Sequence, residues 1–210
     1  MIRNSIKFLV IILLLTSCSS KYLFYSLRMT HPVTNKSLHF ENDTFAINFE
    51  IDKVGIHFSL LNKTYDGIKI NWDEVSFSIN GQAQRIVHKE TGVYKISDVQ
   101  PPTTIPPKSS LSDYLVPTSN VQYISVSNRT YAFTGSILPV NLTGKTKIQE
   151  AIRRFKGTKL TIFLPLYIGN KYVSYYYDIL IDDITPTDSP SNLLEKINAP
   201  SSNSKRNWGA

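Results

Sequence analysis

Apolar and polar residues alternate strictly in two neighbouring stretches near the first third of the chain, residues 44–51 and 54–61. A period of two over this length is typical of strands that bury one face and expose the other. Only Asp52 and Lys53 separate the two stretches. The sequence therefore predicts a β-hairpin over residues 44–61.

The alternation continues after this hairpin but changes its parity. Residues 68–72 alternate in one parity and residues 75–79 in the other, with Asp73 and Glu74 between them. Such a switch indicates a bulge or bend, and we expect it to pass the chain to a second sheet. Asn80-Gly81 follows, a dipeptide that favours a tight hairpin turn because both residues tolerate positive φ. Residues 82–88 are the predicted returning strand.

The longest alternating stretches lie near the C-terminus, at residues 160–168 and 173–181, joined by the turn signal Gly169-Asn170. Pro165 falls on the polar face of the first stretch, and this predicts a sheet edge because proline cannot donate to a ladder. The same reasoning applies to residues 101–117, which hold five of the 11 prolines. We expect that segment to be an extended crossing or an edge.

One helix is predicted at residues 147–156. Thr146 and Gln149 have the spacing of a capping box, and Ile148 and Ile152 begin an apolar stripe. Gly157 is placed to end the helix. The fold class expected from these elements is mainly β, an antiparallel immunoglobulin-like β-sandwich with this one short helix.

The first 20 residues have the layout of a secretory signal: Arg3 and Lys7, then an apolar run over residues 8–15, then small polar residues. The run is shorter than the roughly 20 apolar residues that a spanning helix needs. Leu15-Thr16-Ser17-Cys18 resembles the lipobox of bacterial lipoproteins. That resemblance implies cleavage before Cys18, lipid attachment to Cys18, and anchoring in a membrane. Ser19 stands where lipoproteins retained in the inner membrane have Asp, which favours the cell outer membrane.

This resemblance leads to four predicted regions: a signal peptide over residues 1–17, a lipidated Cys18 and tether over 18–42, the β-sandwich over 43–184, and a disordered tail over 185–210. The tail is rich in Pro, Ser and Asn. A first strand within the tether region, at residues 22–27, is a further expectation. The pattern from Phe58 to Gly81 is similar to β-sandwich domains found in bacterial lipoproteins.

Two alternatives to the lipoprotein interpretation stay open. Cys18 is the only cysteine in the chain, and it could lie in an ordinary signal peptide. Five Asn-x-Ser/Thr triplets would be glycan acceptors in a eukaryotic secreted protein; they begin at Asn35, Asn42, Asn62, Asn128 and Asn141. We interpret them as products of an Asn-, Ser- and Thr-rich composition.

Charge and motifs exclude several function classes. The net charge is +7, but the basic residues are spread along the chain and no nucleic-acid motif occurs, so we expect no nucleic-acid partner. The four histidines lack zinc-ligand spacing. The adjacent carboxylates Asp73-Glu74 and Asp182-Asp183 would point to opposite faces of a strand. We therefore expect no metal, no cofactor and no catalytic residue.

A cluster of tyrosines in the last predicted strand offers candidate binding residues. Tyr175 and Tyr177 fall on the core parity, whereas Tyr172 and Tyr176 point outward. A tyrosine ring presents a broad apolar face with a polar end, which suits sugar or peptide ligands. Tyr172 and Tyr176 are the predicted ligand-binding residues.

The function expected from the sequence is that of a non-enzymatic envelope lipoprotein whose β-sandwich binds or scaffolds another envelope component, either a protein or a glycan. Lipid on Cys18 would hold it in the outer membrane, with either a periplasmic or a surface orientation. The alternative is a hydrolase acting on cell-wall or surface glycan.

Overall fold

The computed structural model describes residues 20–88, 98–126 and 129–188. Within these ranges the chain forms fourteen strands and one α-helix. The first seven strands are β1 (Ser20–His31), β2 (His39–Glu41), β3 (Phe45–Ile51), β4 (Ile56–Asn62), β5 (Ile68–Ile70), β6 (Ser76–Ile79) and β7 (Gln82–His88). The others are β8 (Thr103–Ile105), β9 (Ser110–Pro117), β10 (Val121–Val126), β11 (Arg129–Thr134), β12 (Asn141–Thr143), β13 (Lys159–Ile168) and β14 (Lys171–Thr187). The helix α1 spans Lys145–Phe155, and 3₁₀ turns occur at Trp72–Glu74 and Thr118–Asn120.

Twelve of the strands form one antiparallel sheet, in the order β12-β1-β14-β13-β6-β7-β9-β4-β3-β2. Strand β5 pairs with β13 and β8, while β10 and β11 form a separate hairpin. The sheet curls into a half-barrel, so that its two halves face each other. Ring centroids of Phe45 and Tyr175 lie 4.9 Å apart, and those of Phe49 and Tyr177 lie 4.8 Å apart. The prediction of a mainly β, antiparallel fold with one helix is confirmed.

The predicted hairpins are confirmed. Strands β3 and β4 pair from Ile51↔Ile56 outward, with alternate residues buried as the pattern requires. Asn80 and Gly81 join β6 to β7 with φ values of 49° and 82°, which is the backbone that a two-residue primed turn needs. Gly169, also at positive φ, begins the turn from β13 to β14.

The parity switch at Asp73-Glu74 is the 3₁₀ turn, and it does not lead to a second sheet. Strands β5 and β6 both pair with β13, on either side of this turn. The expectation of a new sheet is therefore wrong, as is the expectation that Pro165 marks an edge. Pro165 lies between the β13 residues that pair with β5 and those that pair with β6. A missing N–H is tolerated at this break in the ladder.

The proline-rich segment contains an internal strand. Strand β9 lies between β4 and β7, so the expectation of a crossing or edge is wrong for residues 110–117. The reason is the position of the prolines: four precede β9, and Pro117 is its last residue. The seven residues of β9 before Pro117 can all donate their N–H groups.

The helix α1 begins two residues earlier than predicted and without the capping box. Its N-cap is Gly144, with φ 96° and no side-chain hydrogen bond to the helix end. Ile148 and Ala151 are buried against the core. Gly157, at φ 79°, follows the helix end as predicted.

The sheet begins earlier and ends later than the predicted domain of residues 43–184. Strand β1 lies between β12 and β14, so residues 20–42 belong to the fold, and the predicted tether over 18–42 is corrected for this part. Phe24 pairs with Thr185, and β14 continues to Thr187, which corrects the start of the predicted tail at 185. Cys18, the signal segment and residues 189–210 lie outside the described residues. No helix in the described ranges is long and apolar enough to cross a membrane.

Candidate functional site

The outward side of β13 and β14 carries a row of aromatic side chains, which we call the aromatic face. Tyr172 lies opposite Tyr167 in the register, and Tyr176 lies opposite Phe163. His31, from the end of β1, stacks on Tyr176. The two tyrosines predicted as outward are 53% and 46% exposed, and the structure places both on this one face.

A second ring orients each of the two exposed tyrosines. The rings of Tyr172 and Tyr167 meet edge to face, with centroids 5.2 Å apart. Tyr176 and His31 are parallel within 5°, with centroids 3.9 Å apart. Because Tyr172 and Tyr176 are four residues apart on one strand face, about 13 Å separates them along the strand. A ligand that contacts both must be extended.

Tyr167 is fixed by contacts on two sides. Its hydroxyl donates to the carboxylate of Glu74 at 2.8 Å, and the Lys69 ammonium lies 4.9 Å from the ring centroid. The hydrogen bond to Glu74 raises the pKa of Tyr167. The ring against which Tyr172 rests is therefore neutral and held in one orientation.

The other two tyrosines of the cluster face the core, as predicted. Tyr177 is fully buried, and burial raises the pKa of its hydroxyl. Tyr175 is partly buried, packs against Phe45, and accepts a hydrogen bond from Asn42 at 3.3 Å. Neither residue is available to a ligand on the outer face.

A second surface of interest is an open groove of about 580 Å³ on the sheet formed by β3, β4 and β9, which we call the polar groove. Its outward residues form two rows across the three strands. One row is Asn48, Ser59 and Ser112, and the other is Glu50, His57 and Tyr114. Phe49, Phe58 and Asp113 complete the lining.

Hydrogen bonds and ring contacts hold several groove side chains in place. His39 on β2 extends the first row, with its Nδ1 2.7 Å from Asn48 Oδ1. The hydroxyls of Ser112 and Ser59 are 3.4 Å apart. Tyr114 and His57 have ring centroids 4.1 Å apart. Together they give a surface of amide, hydroxyl and ring groups.

Asp52, in the turn between β3 and β4, anchors the Tyr114 end of the groove. The Tyr114 hydroxyl donates to Asp52 at 3.1 Å, and the N–H groups of Val54 and Gly55 also donate to this carboxylate. Burial opposes ionisation of Asp52, but these bonds and that of His57 outweigh it and lower its pKa. Burial, followed by the charge of Asp52, raises the pKa of Tyr114.

Gly55 allows β9 to approach this turn. A Cβ at position 55 would lie 2.5 Å from the Leu115 carbonyl oxygen and 2.6 Å from the Tyr114 ring. Any larger residue would push Tyr114 out of its place beside Asp52. The groove was not predicted from the sequence, because it depends on β9, which was expected to be an extended crossing or an edge.

A buried polar cluster lies below the groove. His88 Nδ1 is 3.0 Å from Asp113 Oδ2, and both side chains are almost inaccessible. The His88 ring stacks on Trp72 at 4.3 Å. Gln100 accepts from the His88 N–H and donates to the Ile86 carbonyl. The sequence suggests no role for His88, and the structure places its side chain in the core.

The adjacent carboxylates of each pair have different partners, but neither pair lies on a regular strand as expected. Asp73 and Glu74 are in the 3₁₀ turn, and Asp182 is the extra residue at a bulge in β14. Arg28 makes two hydrogen bonds of 2.8 Å to Asp182, while Lys156 pairs with Asp183 at 2.8 Å. Asp73 pairs with Arg85, and Glu74 binds Tyr167. In the part of the chain that the structure describes, no group of three or more His, Cys, Asp or Glu residues could hold a metal ion.

One of the five glycosylation triplets is closed to modification in the folded chain. Asn62 is fully buried, and its amide donates to the carbonyls of Asp66, Ile105 and Pro106. A glycan would replace one of the two hydrogens of this buried amide, so the three contacts could not all be kept. This agrees with the interpretation of the triplets as compositional.

No protein-family model matches the chain, and no curated protein matches its sequence. Among solved structures, the chain is similar to one described as the crystal structure of a protein from Archaeoglobus fulgidus. The identity is 8%, the match covers 70% of this chain and 95% of that chain, and the TM-score is 0.25. At that score the likeness carries no argument about function.

Proposed function

We propose that this chain is an envelope lipoprotein, anchored in the outer membrane by lipid on Cys18, whose β domain binds another envelope component without catalysis. The observation that carries the binding role is the aromatic face. Tyr172 and Tyr176 are exposed, and each is oriented by a second ring. Exposed aromatic rings that are already ordered lose little conformational entropy on binding.

The start of β1 supports the anchoring role. The sheet begins at Ser20, and only Ser19 separates that strand from Cys18 in the sequence. Two or more acyl chains give stable membrane attachment where one does not. A lipid on Cys18 would hold the β domain close to the membrane surface.

The carboxylates support binding over hydrolysis. A glycosidase needs a carboxylic acid with a raised pKa facing a second carboxylate. Hydrogen bonds from Arg28 and Lys156 lower the pKa values of Asp182 and Asp183, and the pKa of Asp52 is also lowered. These groups are suited to structural pairing.

We also propose that the curled sheet belongs with the immunoglobulin-like β-sandwiches. Its two halves pack their inner faces together, as the two layers of a sandwich do. The aromatic contacts between β3 and β14 are an example of this packing. An experimental structure in which the two end strands, β12 and β2, also pair and close the sheet into a full barrel would argue against this grouping.

The anchor is tested by the intact mass of protein extracted from membranes, beside a Cys18→Ala variant. We expect the mass of residues 18–210 plus acyl groups, and the variant should lose both the acyl mass and membrane attachment. An unmodified mass with Cys18 removed or free would overturn the lipoprotein proposal.

The binding role is tested by cross-linking and affinity capture from the envelope fraction. We expect the double variant Tyr172→Ala/Tyr176→Ala to lose the partner that the unmodified protein captures. Tyr65→Ala is the matched control, because Tyr65 is 86% exposed and lies outside the aromatic face. Equal capture by the double variant and the unmodified protein would contradict the role of the aromatic face.

A further inference from the structure

We propose that the polar groove on β3, β4 and β9 is a second binding site, and that its ligand is a segment of an uncharged glycan. This site lies on a different part of the sheet from the aromatic face. It therefore extends the proposed binding role and does not depend on the partner of Tyr172 and Tyr176.

The charge of the groove argues against an anionic ligand. The chain has a net charge of +7, yet none of the nine residues that line the groove is Lys or Arg. Glu50 lies in the lining, and Asp52 adjoins it through Tyr114. Phosphate, sulfate or carboxylate groups would meet this negative charge with no Lys or Arg in the lining to pair with.

The hydrogen-bonding groups of the groove match sugar hydroxyls. Ser59 and Ser112 can each donate and accept, and the Asn48 amide offers both functions on separate atoms. These three residues lie side by side on adjacent strands. With strands about 4.8 Å apart, the row spans about 10 Å. A row of this length can contact the hydroxyls of more than one sugar ring.

Rings at one end of the groove provide an apolar surface. Tyr114 is fixed by its hydrogen bond to Asp52 and by contact with His57. A sugar ring has an apolar face of axial C–H groups that packs against an aromatic ring. The groove therefore offers hydrogen-bonding side chains for the hydroxyl groups of a neutral sugar and an aromatic ring for its apolar face.

The sheet topology argues against an extended peptide in this groove. Peptides that join a sheet do so at an edge, through backbone hydrogen bonds. Here β4 lies in the middle of the groove and pairs over Ile56–Leu61 with both β3 and β9, so its backbone groups are already used in ladders. A ligand lying across β4 therefore meets side chains, which suits a ligand rich in hydroxyl groups.

The test is calorimetric titration of the full-length protein, in a detergent without a sugar headgroup, with chitotetraose, cellotetraose and maltotetraose. We expect saturable binding of at least one of these neutral tetrasaccharides. Asn48→Ala and Ser112→Ala should each weaken it about fivefold, because a lost hydrogen bond costs about 1 kcal/mol. Tyr65→Ala, which lies outside both the groove and the aromatic face, should bind as the unmodified protein does.

Three outcomes would overturn the proposal: no binding of any of the three sugars, binding that Asn48→Ala and Ser112→Ala leave unchanged, or tighter binding of an acidic polymer such as polygalacturonate. Circular dichroism of each variant shows whether it is folded. This experiment uses neither membrane attachment nor the envelope partner. Its failure is therefore separate from a failure of the lipoprotein proposal.

Discussion

The aromatic face and the polar groove lie on the outside of the same curled sheet, but they are built in different ways. The aromatic face rests mainly on one long hairpin, β13 and β14, whose register places Tyr167 beside Tyr172. The polar groove needs β9 beside β4, two strands separated by the whole segment from β5 to β8. A local hairpin can thus create one surface, whereas the other exists only when distant segments meet.

The inner sides of the strands that form the aromatic face and the polar groove share one core. Phe45 from the groove half packs on Tyr175 from the aromatic half, and both belong to one hydrophobic core. The two surfaces are chemically distinct but depend on the same buried contacts. The predictions below test that dependence, beginning with the largest expected effect.

Replacing Phe45 by Ala should destabilise both surfaces at once. Phe45 is fully buried, and truncating such a ring costs about 3 to 5 kcal/mol of unfolding free energy. Urea unfolding followed by tyrosine and tryptophan fluorescence should show one transition, at a lower urea concentration. Two separate transitions would mean that the half of the sheet with the groove and the half with the aromatic face fold independently.

Asn62→Ala should have the next largest effect. The amide of Asn62 ties the end of β4 to the carbonyls of Ile105 and Pro106. Leaving buried carbonyls without a donor costs about 1 to 3 kcal/mol. The urea midpoint should fall accordingly, while the exposed control Asn48→Ala should change stability by less than about 0.5 kcal/mol. Equal urea midpoints for the two variants would show that the hydrogen bonds of Asn62 do not stabilise the fold.

Asp52→Asn should change the pH dependence of stability. Because the pKa of Asp52 is lowered in the folded chain, its carboxylate stabilises the fold above the unfolded pKa of about 3.9. That contribution disappears as the pH falls through the lower folded value. The wild type should therefore exceed the variant in stability at pH 6, and the difference should shrink below about pH 4. Thermal unfolding at several pH values measures this, and a constant difference would contradict it.

Tyr176→Ala should have the smallest effect on stability. Tyr176 is nearly half exposed, and its main ring contact is the stacked His31. Loss of such a pair costs about 0.5 to 1.5 kcal/mol at most. The urea midpoint should move little while capture of the envelope partner falls. A large loss of stability would mean that the aromatic face is structural.

The contrast between a surface built from one hairpin and a surface built from distant strands explains what the sequence could predict. Strict alternation and the turn signals Asn80-Gly81 and Gly169-Asn170 locate the hairpins, and the parity of β14 separates Tyr172 and Tyr176 from the buried Tyr177. These are local properties.

Properties that depend on distant contacts could not be predicted. Pro165 looked like an edge because its neighbours in the sheet are unknown until β5 and β6 are placed. The buried position of His88 was not predicted, because Asp113 and Trp72 approach it from other parts of the chain. The groove was missed for the same reason. Ser112 and Tyr114 belong to β9, and they gain their groove neighbours only when β9 pairs with β4.

The two ends of the long sheet have a consequence for how copies of this protein behave at high density. The sheet ends in β12 on one side and β2 on the other, and each is three residues long. A strand from a second molecule would find few backbone partners at either end, so neither of these two ends is a ready template for strand addition by another copy.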